Sequence, residues 1–296
     1  QVGVETFEGH IHTVKGDDVH KEPNHGNLCV KGWLGWDLLS SEERLTEPMV
    51  RKNGRLEATS WREALERAAE LTREARDGGE PIVGVATSRM TTEDGYLMQR
   101  MMRDVLGTPH VMQAPIGGPA ALDGMWDATG TPASTAKVDE IQEADVVLVL
   151  RGDPKRTHPI VKNEIVESVK HRGQRLVLAH ALSGGLEQHA ELFLDVIPGS
   201  EEALVSGMAA GFAEQRPDAF GPFADGDGLE AWKASLTSYS PEAVAEATGL
   251  PAGQLEKLLK ILLSARRMMT VIVTGNGVPG DERSTTSAAA RLTAMV

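Results

Sequence analysis

Chemistry in this chain has few candidate carriers: one thiol, nine histidines, and the polar residues that follow its apolar strand-like runs. Cys29 is the only cysteine of 296 residues, and it follows Pro23-Asn24-His25-Gly26-Asn27-Leu28, with Lys31 two positions on. A lone thiol among turn residues beside a lysine reads as one ligand of a larger metal centre, because a single thiolate holds neither a cluster nor a zinc ion. A structural zinc site from His20, His25 and Cys29 has tolerable spacing, but no fourth ligand is obvious in the sequence. His10 and His12 share one face of a strand-like segment, where histidines are more often solvent-facing than ligands. No histidine-acid pattern in the sequence marks Cys29 as a nucleophile.

The remaining candidates sit at the ends of short buried strands, so the strands come first. Val2–Thr6 and Ile11–Val14 flank Glu8-Gly9 and predict a hairpin. A short helix over Trp33, Trp36 and Leu39 is expected to pack back on it, and Asn53-Gly54 joins a second hairpin. Ser60 followed by Glu63 forms a capping box, and Trp61, Leu65, Ala68, Leu71 and Ala75 form one apolar stripe up to Gly78-Gly79. From there Val-, Ile- and Leu-rich runs at Ile82–Ala86, Val146–Leu150, Leu176–Ala179 and Met269–Val273 alternate with amphipathic segments. That pattern predicts an α/β fold with a mainly parallel, doubly wound sheet covered on both faces. Ligands of such sheets lie at the carboxyl ends of the strands. This singles out Thr87–Arg89, Arg151–Asp153, His180–Ser183 and Thr274–Gly277.

Composition narrows the partners. Forty-three acidic against 30 basic residues give a net charge of −13, which disfavours nucleic acid and anionic membrane. One cysteine excludes an intrachain disulfide, and no apolar run suffices for direct membrane insertion. A cytoplasmic protein is expected. A chain that begins with Gln1 and stops at Val296 within a helical pattern is expected to belong to something longer at both ends.

Taken together, Asn24–Gly32 (NHGNLCVKG), Arg44–Pro48 (RLTEP), Asn53-Gly54, Ser60-Trp61, Thr92-Glu93, Ala144–Leu150, Gly152-Asp153-Pro154, His158-Pro159 and Ile197–Ser200 resemble, in order and approximate spacing, the molybdopterin oxidoreductases. That family includes formate dehydrogenases, nitrate reductases and the large iron-sulfur subunit of NADH-quinone oxidoreductase. The resemblance implies that Cys29 is the last of four thiolates around a 4Fe-4S cluster, the other three lying upstream of Gln1. It also implies that Lys31 stands between cluster and pterin, where a cation favours the electron-rich state. Domains are expected at 1–58 (part of a β-rich iron-sulfur region), at 59–107 with 266–296 (a discontinuous α/β domain), and at 108–265 (an inserted Rossmann-like unit). The strands Ile82–Ala86 and Val271–Thr274 should then be neighbours.

Two departures bear on activity. The family's metal ligand should fall near Val111–Ile116, in an expected loop reading Val-Met-Gln-Ala-Pro-Ile, and none of these side chains supplies a thiolate, selenolate or carboxylate. Where catalytic members hold the guanosine end of the cofactor with Asp-Pro-Arg, His180-Ala181-Leu182 stands instead. The first expectation is therefore an electron-relay subunit of NADH-quinone oxidoreductase type, working among the other subunits of a respiratory or formate dehydrogenase-type complex and not catalytic as this chain alone. The alternative is a catalytic molybdenum or tungsten enzyme of formate dehydrogenase type. Molybdopterin guanine dinucleotide would then meet Arg89, Thr92, Arg151, Asp153, Gly275 and Gly277.

Overall fold

The computed structural model describes residues 2–16, 26–87, 90–114, 118–155, 157–181, 184–224, 226, 228–274 and 280–296. The chain divides into two units, a larger one of 1–29 with 117–296 and a smaller one of 30–116.

In the larger unit, β1 (Val2–Phe7) and β2 (His10–Gly16) pair antiparallel about Glu8 and Gly9, whose φ angles of 48° and 81° are those of a tight hairpin turn. His10 and His12 are both exposed on β2. In the smaller unit come α1 (Val30–Leu34), a 3-10 turn over Gly35–Leu39, β3 (Met49–Lys52), β4 (Arg55–Ala58) and α2 (Trp61–Asp77). Trp33 and Leu39 are exposed, and Trp36 is half-buried. Half of the capping box is formed: the Glu63 backbone N–H donates to Ser60 Oγ at 3.2 Å, while the Glu63 carboxylate turns to Thr59 and Lys52, and Gly79, at φ 74°, follows the helix. Then come β5 (Gly84–Thr87), α3 (Thr92–Arg100), a π-helical turn over Met101–Val105 and β6 (Val111–Ala114), which pairs parallel with β5.

The rest of the larger unit runs α4 (Pro119–Thr129), β7 (Val146–Leu150), α5 (Pro159–Arg172), β8 (Arg175–Ala179), β9 (Leu192–Leu194), α6 (Glu201–Gln215), α7 (Leu229–Leu236), α8 (Pro241–Thr248), α9 (Ala252–Ser264), β10 (Met268–Ile272) and α10 (Glu282–Met295). Four strands form one parallel sheet in the order β10-β7-β8-β9. Alternate residues of the central strands face opposite layers. Val146, Leu148, Leu150, Val177 and Ala179 pack with Leu204, Met208, Phe212, Leu258, Ile261 and Leu292, while Val147, Val149, Leu176 and Leu178 pack with Ile141, Ile165 and Leu186. Both faces are thus covered, as uninterrupted Val and Leu runs require.

Strand adjacency departs from expectation. The strand at 268–272 pairs with β7, in the sheet of the larger unit, and β5 pairs with β6 in a separate sheet. The apolar run of β10 lies beside the fully aliphatic, fully buried β7, register Met268 to Val146 through Ile272 to Leu150, so the two predicted neighbours are not neighbours. The segment at 111–114, expected as loop, is strand β6.

Candidate active site at the strand ends

The order β10-β7-β8-β9 reverses direction at β7: the chain steps from β7 outward to β9, then returns to β10 on the other side. The crevice beyond the carboxyl ends of β7 and β10 is the place where such a sheet accepts a ligand. Arg151, Gly152 and Asp153 follow β7 directly. Arg151 has φ 68° and Gly152 φ 152°, so the chain swings out of the strand through a conformation that a non-glycine residue adopts only where surrounding contacts hold it.

Those contacts are specific. Arg151 is fully buried, its backbone N–H donates to Ala179 O at 3.2 Å, and its guanidinium lies between two carboxylates. Nη1 is 3.9 Å from Glu201 Oε2 and Nη2 is 3.6 Å from Glu282 Oε1. Each carboxylate also receives a backbone N–H: Gly199 donates to Glu201 Oε2 at 3.0 Å and Gly118 to Glu282 Oε2 at 3.2 Å. Glu201 and Glu282 are the first residues of α6 and α10, where the helix dipole favours negative charge. One buried cation therefore ties together the end of β7 and the starts of three helices, α4, α6 and α10. Glu201 Oε1 is buried and accepts no hydrogen bond from any described residue.

Asp153 is also committed to the backbone. It accepts from Lys155 N at 2.7 Å and from Leu186 N at 3.3 Å, joining the turns after β7 and β8. Gly184 is the residue that allows this, because a Cβ there would lie 2.0 Å from Asp153 Oδ2. His180, directly after β8, is fully buried, its N–H donating to Leu194 O at 3.2 Å and its ring edge-on to Phe193 at 5.5 Å.

Of the candidates named from sequence, Arg151 and Asp153 share this one turn. Thr92 is the first residue of α3 in the smaller unit, where the cap is its neighbour Thr91, whose side chain accepts from Asp94 N. Lys31 is exposed on α1, and Cys29 is a half-buried free thiol. Arg89, Gly275, Gly277, His20 and His25 lie outside the described residues. Among the described residues no group of three His, Cys, Asp or Glu side chains could hold a metal ion, and no helix is long and apolar enough to cross a membrane. Glu201 and Glu282 were not singled out from sequence. Their one signal is an acidic residue opening a helix after a Gly- or Asp-containing turn, which ordinarily reads as surface dipole compensation.

The model of the molybdopterin oxidoreductase family matches residues 44–278. The chain belongs to the molybdopterin oxidoreductase family. Formate dehydrogenase H of Escherichia coli is 28% identical over 276 residues, an alignment covering 90% of this chain and 38% of that protein. A nitrate reductase of Symbiobacterium thermophilum is 30% identical over 290 residues, 93% of this chain and 38% of that protein. The F420-dependent formate dehydrogenase subunit alpha of Methanocaldococcus jannaschii is 26% identical over 263 residues, 85% and 37% respectively. This molybdopterin oxidoreductase chain thus spans little more than a third of the length of these relatives. Acetylene hydratase from Pelobacter acetylenicus shares the fold, with a TM-score of 0.65 at 20% identity over 99% of this chain and 41% of that one. The family expectation is met, and the formate dehydrogenase relatives support the alternative drawn from sequence better than the NADH-quinone subunit type.

The family implies a molybdopterin cofactor. At the strand-end crevice, the buried Glu201 Oε1 without a donor suits the N–H groups of a purine or pterin ring. Arg151, enclosed by two carboxylates, is not placed to bind phosphate. The segment 111–116, where the sequence expectation puts the metal's ligand, holds Val111, Met112 and Gln113 in β6 and, with Ala114, Pro115 and Ile116, supplies no thiolate or carboxylate.

Proposed function

We propose that this chain is the cofactor-fold segment of a formate dehydrogenase-like redox subunit, in which the crevice after β7 and β10 takes the nucleotide end of a molybdopterin guanine dinucleotide. The observation that carries this reading is the topological reversal at β7, with a buried acceptor at the start of α6. Glu201 would hold the ring N–H donors, and Arg151, Glu282 and Asp153 would fix the backbone around it. The cofactor, when bound, supplies the metal-centred two-electron chemistry. Arg89, Gly275, Gly277 and Thr92 stay candidate contacts by their positions in the sequence.

Cys29 is proposed as one ligand of a 4Fe-4S cluster whose other ligands come from outside residues 1–296, with Lys31 beside it, and the partners as the other subunits of a formate dehydrogenase-type complex. Because 111–116 offers the metal no side-chain ligand, this segment is proposed to hold cofactor and relay electrons without itself completing the metal's coordination. That feature, with His180-Ala181-Leu182 in place of Asp-Pro-Arg, favours the NADH-quinone type, whose pterin-like domain would be structural. Isolation of the protein from molybdate- and tungstate-supplied cells, with elemental analysis and extraction of the guanine nucleotide, tests the reading. Recovery of the dinucleotide near one or two per chain, lost in Glu201→Gln, supports it, and its absence from the wild-type protein refutes it.

A further inference from the structure

A second polar site lies among the helices of the larger unit. A cavity of about 480 Å³ opens between α4, α6, α7 and α10, within the size range of small-molecule pockets. Arg283, Ser287 and Arg291 line it from one face of α10, at successive four-residue steps. Two of the four charges are spent on each other: Arg283 grips Asp127 of α4 with Nε–Oδ2 2.6 Å and Nη2–Oδ1 2.8 Å. The other two are not. Arg291 stacks over Trp232, its guanidinium carbon 5.3 Å from the ring centroid, and donates only a long 3.4 Å bond to Asp127 O. Its charge acts on the Asp127 carboxylate at longer range, but among the described residues it forms no ion pair. Glu202 accepts the Ser206 and Tyr239 hydroxyls on one oxygen, both at 2.8 Å, and has no cationic partner among the described residues. Burial, then the bond to Glu202, pushes the Tyr239 phenol up, so it stays a donor to that carboxylate. Ser287 is nine-tenths buried, lines the same cavity, and its hydroxyl has no partner among the described residues.

One cation outside any ion pair, one anion without a cationic partner, a buried hydroxyl and an aromatic wall thus face one cavity. We propose that this cavity binds a small zwitterion of the α-amino-acid class, its carboxylate on Arg291 and Ser287, its ammonium on Glu202, and its side chain against Trp232. A planar guanidinium already held by an aromatic ring loses little freedom on taking a carboxylate. A lone anion would meet Glu202, and a lone cation would meet Arg291, so only the dipolar species satisfies both. The inference does not rest on the pterin reading.

Isothermal titration of the purified chain tests it, with L-phenylalanine and L-leucine as probes and N-acetyl-L-phenylalanine and L-phenylalaninamide as the anion-only and cation-only arms. The free amino acids should bind saturably at one site. Each blocked derivative should bind about tenfold or more weaker, the scale of one lost charge-assisted hydrogen bond. Arg291→Met and Glu202→Gln should weaken the free amino acid to a similar degree. The blocked ligands probe the native chain, so their result stands whether or not a variant folds. Absence of saturable binding by both free amino acids, or equal binding of a free and a blocked one, overturns the proposal.

Discussion

The two parallel sheets among the described residues end up in opposite conditions. In the larger unit Val146 through Leu150 and Leu176 through Ala179 are all at or below 1% exposure, with helices on both faces. In the smaller unit β5 and β6 form a two-stranded sheet in which Val85 is 52% exposed, and the apolar stripe of α2 lies open, with Trp61 at 70% and Leu65 at 62%. Full burial of a Val or Leu side chain contributes about 1.5–3 kcal/mol, and the smaller unit realises little of this: its buried residues among those described are Gly84 and Met102. An amphipathic stripe specifies a helix and the face it wants covered; it does not supply the cover. Stability in this chain therefore resides in the larger sheet, and the strand-end crevice is mounted on it.

The comparison breaks most readily through side-chain truncation. Leu148→Ala, at the centre of β7, should cost about 2–5 kcal/mol by the transfer and cavity terms together, whereas Leu65→Ala on α2 should stay within about 0.5 kcal/mol, as for an exposed site. Urea unfolding of the whole chain measures both. A large loss at Leu65 would mean that the α2 stripe is buried in solution and that the contrast is false. Hydrogen exchange sharpens the same point: amides of 146–150 and 175–179 should be the slowest, and those of 84–87 and 111–114 markedly faster.

What the sequence disclosed follows the same division. The aliphatic runs of β7, β8 and β10 and the Ser60–Glu63 cap were legible because each is a local pattern with a local cause. Strand pairing was not. Nothing within 268–272 says whether it will lie beside β5 or β7, and the structure chose the partner that buries more aliphatic surface. Strand β6 stands where the resemblance implies a metal-ligand loop, so its pairing with β5 was not legible from the sequence. Arg151 and Asp153 were singled out by their position after a strand, and the structure puts them together in the turn after β7. Glu201 and Glu282 were missed because they are 50 and 131 residues from Arg151, and only the assembled fold brings the helix starts to the guanidinium. The expectation of no metal ligand at 111–116 rests on side-chain chemistry alone, and the fold does not bear on it.

Glycines test packing in each unit at a smaller scale. Gly124 lets α4 sit against α10, since a Cβ there would lie 2.3 Å from Arg283 O and 2.9 Å from Thr286 Cβ. Gly124→Ala should cost about 1–3 kcal/mol through overpacking, and should also loosen the Asp127–Arg283 pair, which an Asp127→Asn background would reveal as a reduced coupling. Gly95, inside α3 of the smaller unit, has nothing within 4 Å of its added Cβ. There Ala should stabilise by up to about 1 kcal/mol through helix propensity. Opposite signs for the same substitution are the expected outcome of thermal unfolding; equal signs would contradict the packing difference between the units.

The smallest effect expected is electrostatic and also differs between the units. Burial pushes the Asp145 carboxyl up, but the Arg267 and Arg266 backbone N–H groups, at 2.9 and 3.0 Å, together with weaker contributions outweigh it and hold the carboxyl below its usual range. Its folded pKa lies below the unfolded value, so its contribution is present above the unfolded carboxylate range and is lost as pH falls through the folded pKa. Asp145 ties the start of β7 to the turn entering β10, so acid should weaken the edge of the large sheet. Glu63 is lowered too, through its hydrogen bonds with Lys52 and Thr59, but it is exposed, where water and salt screen such pairs. Asp145→Asn should therefore flatten the acid limb of the stability profile while Glu63→Gln leaves it nearly unchanged. The reverse ranking in urea titrations at successive acidic pH values would place the controlling carboxylate in the smaller unit, and with it a share of the stability that the exposed sheet does not otherwise account for.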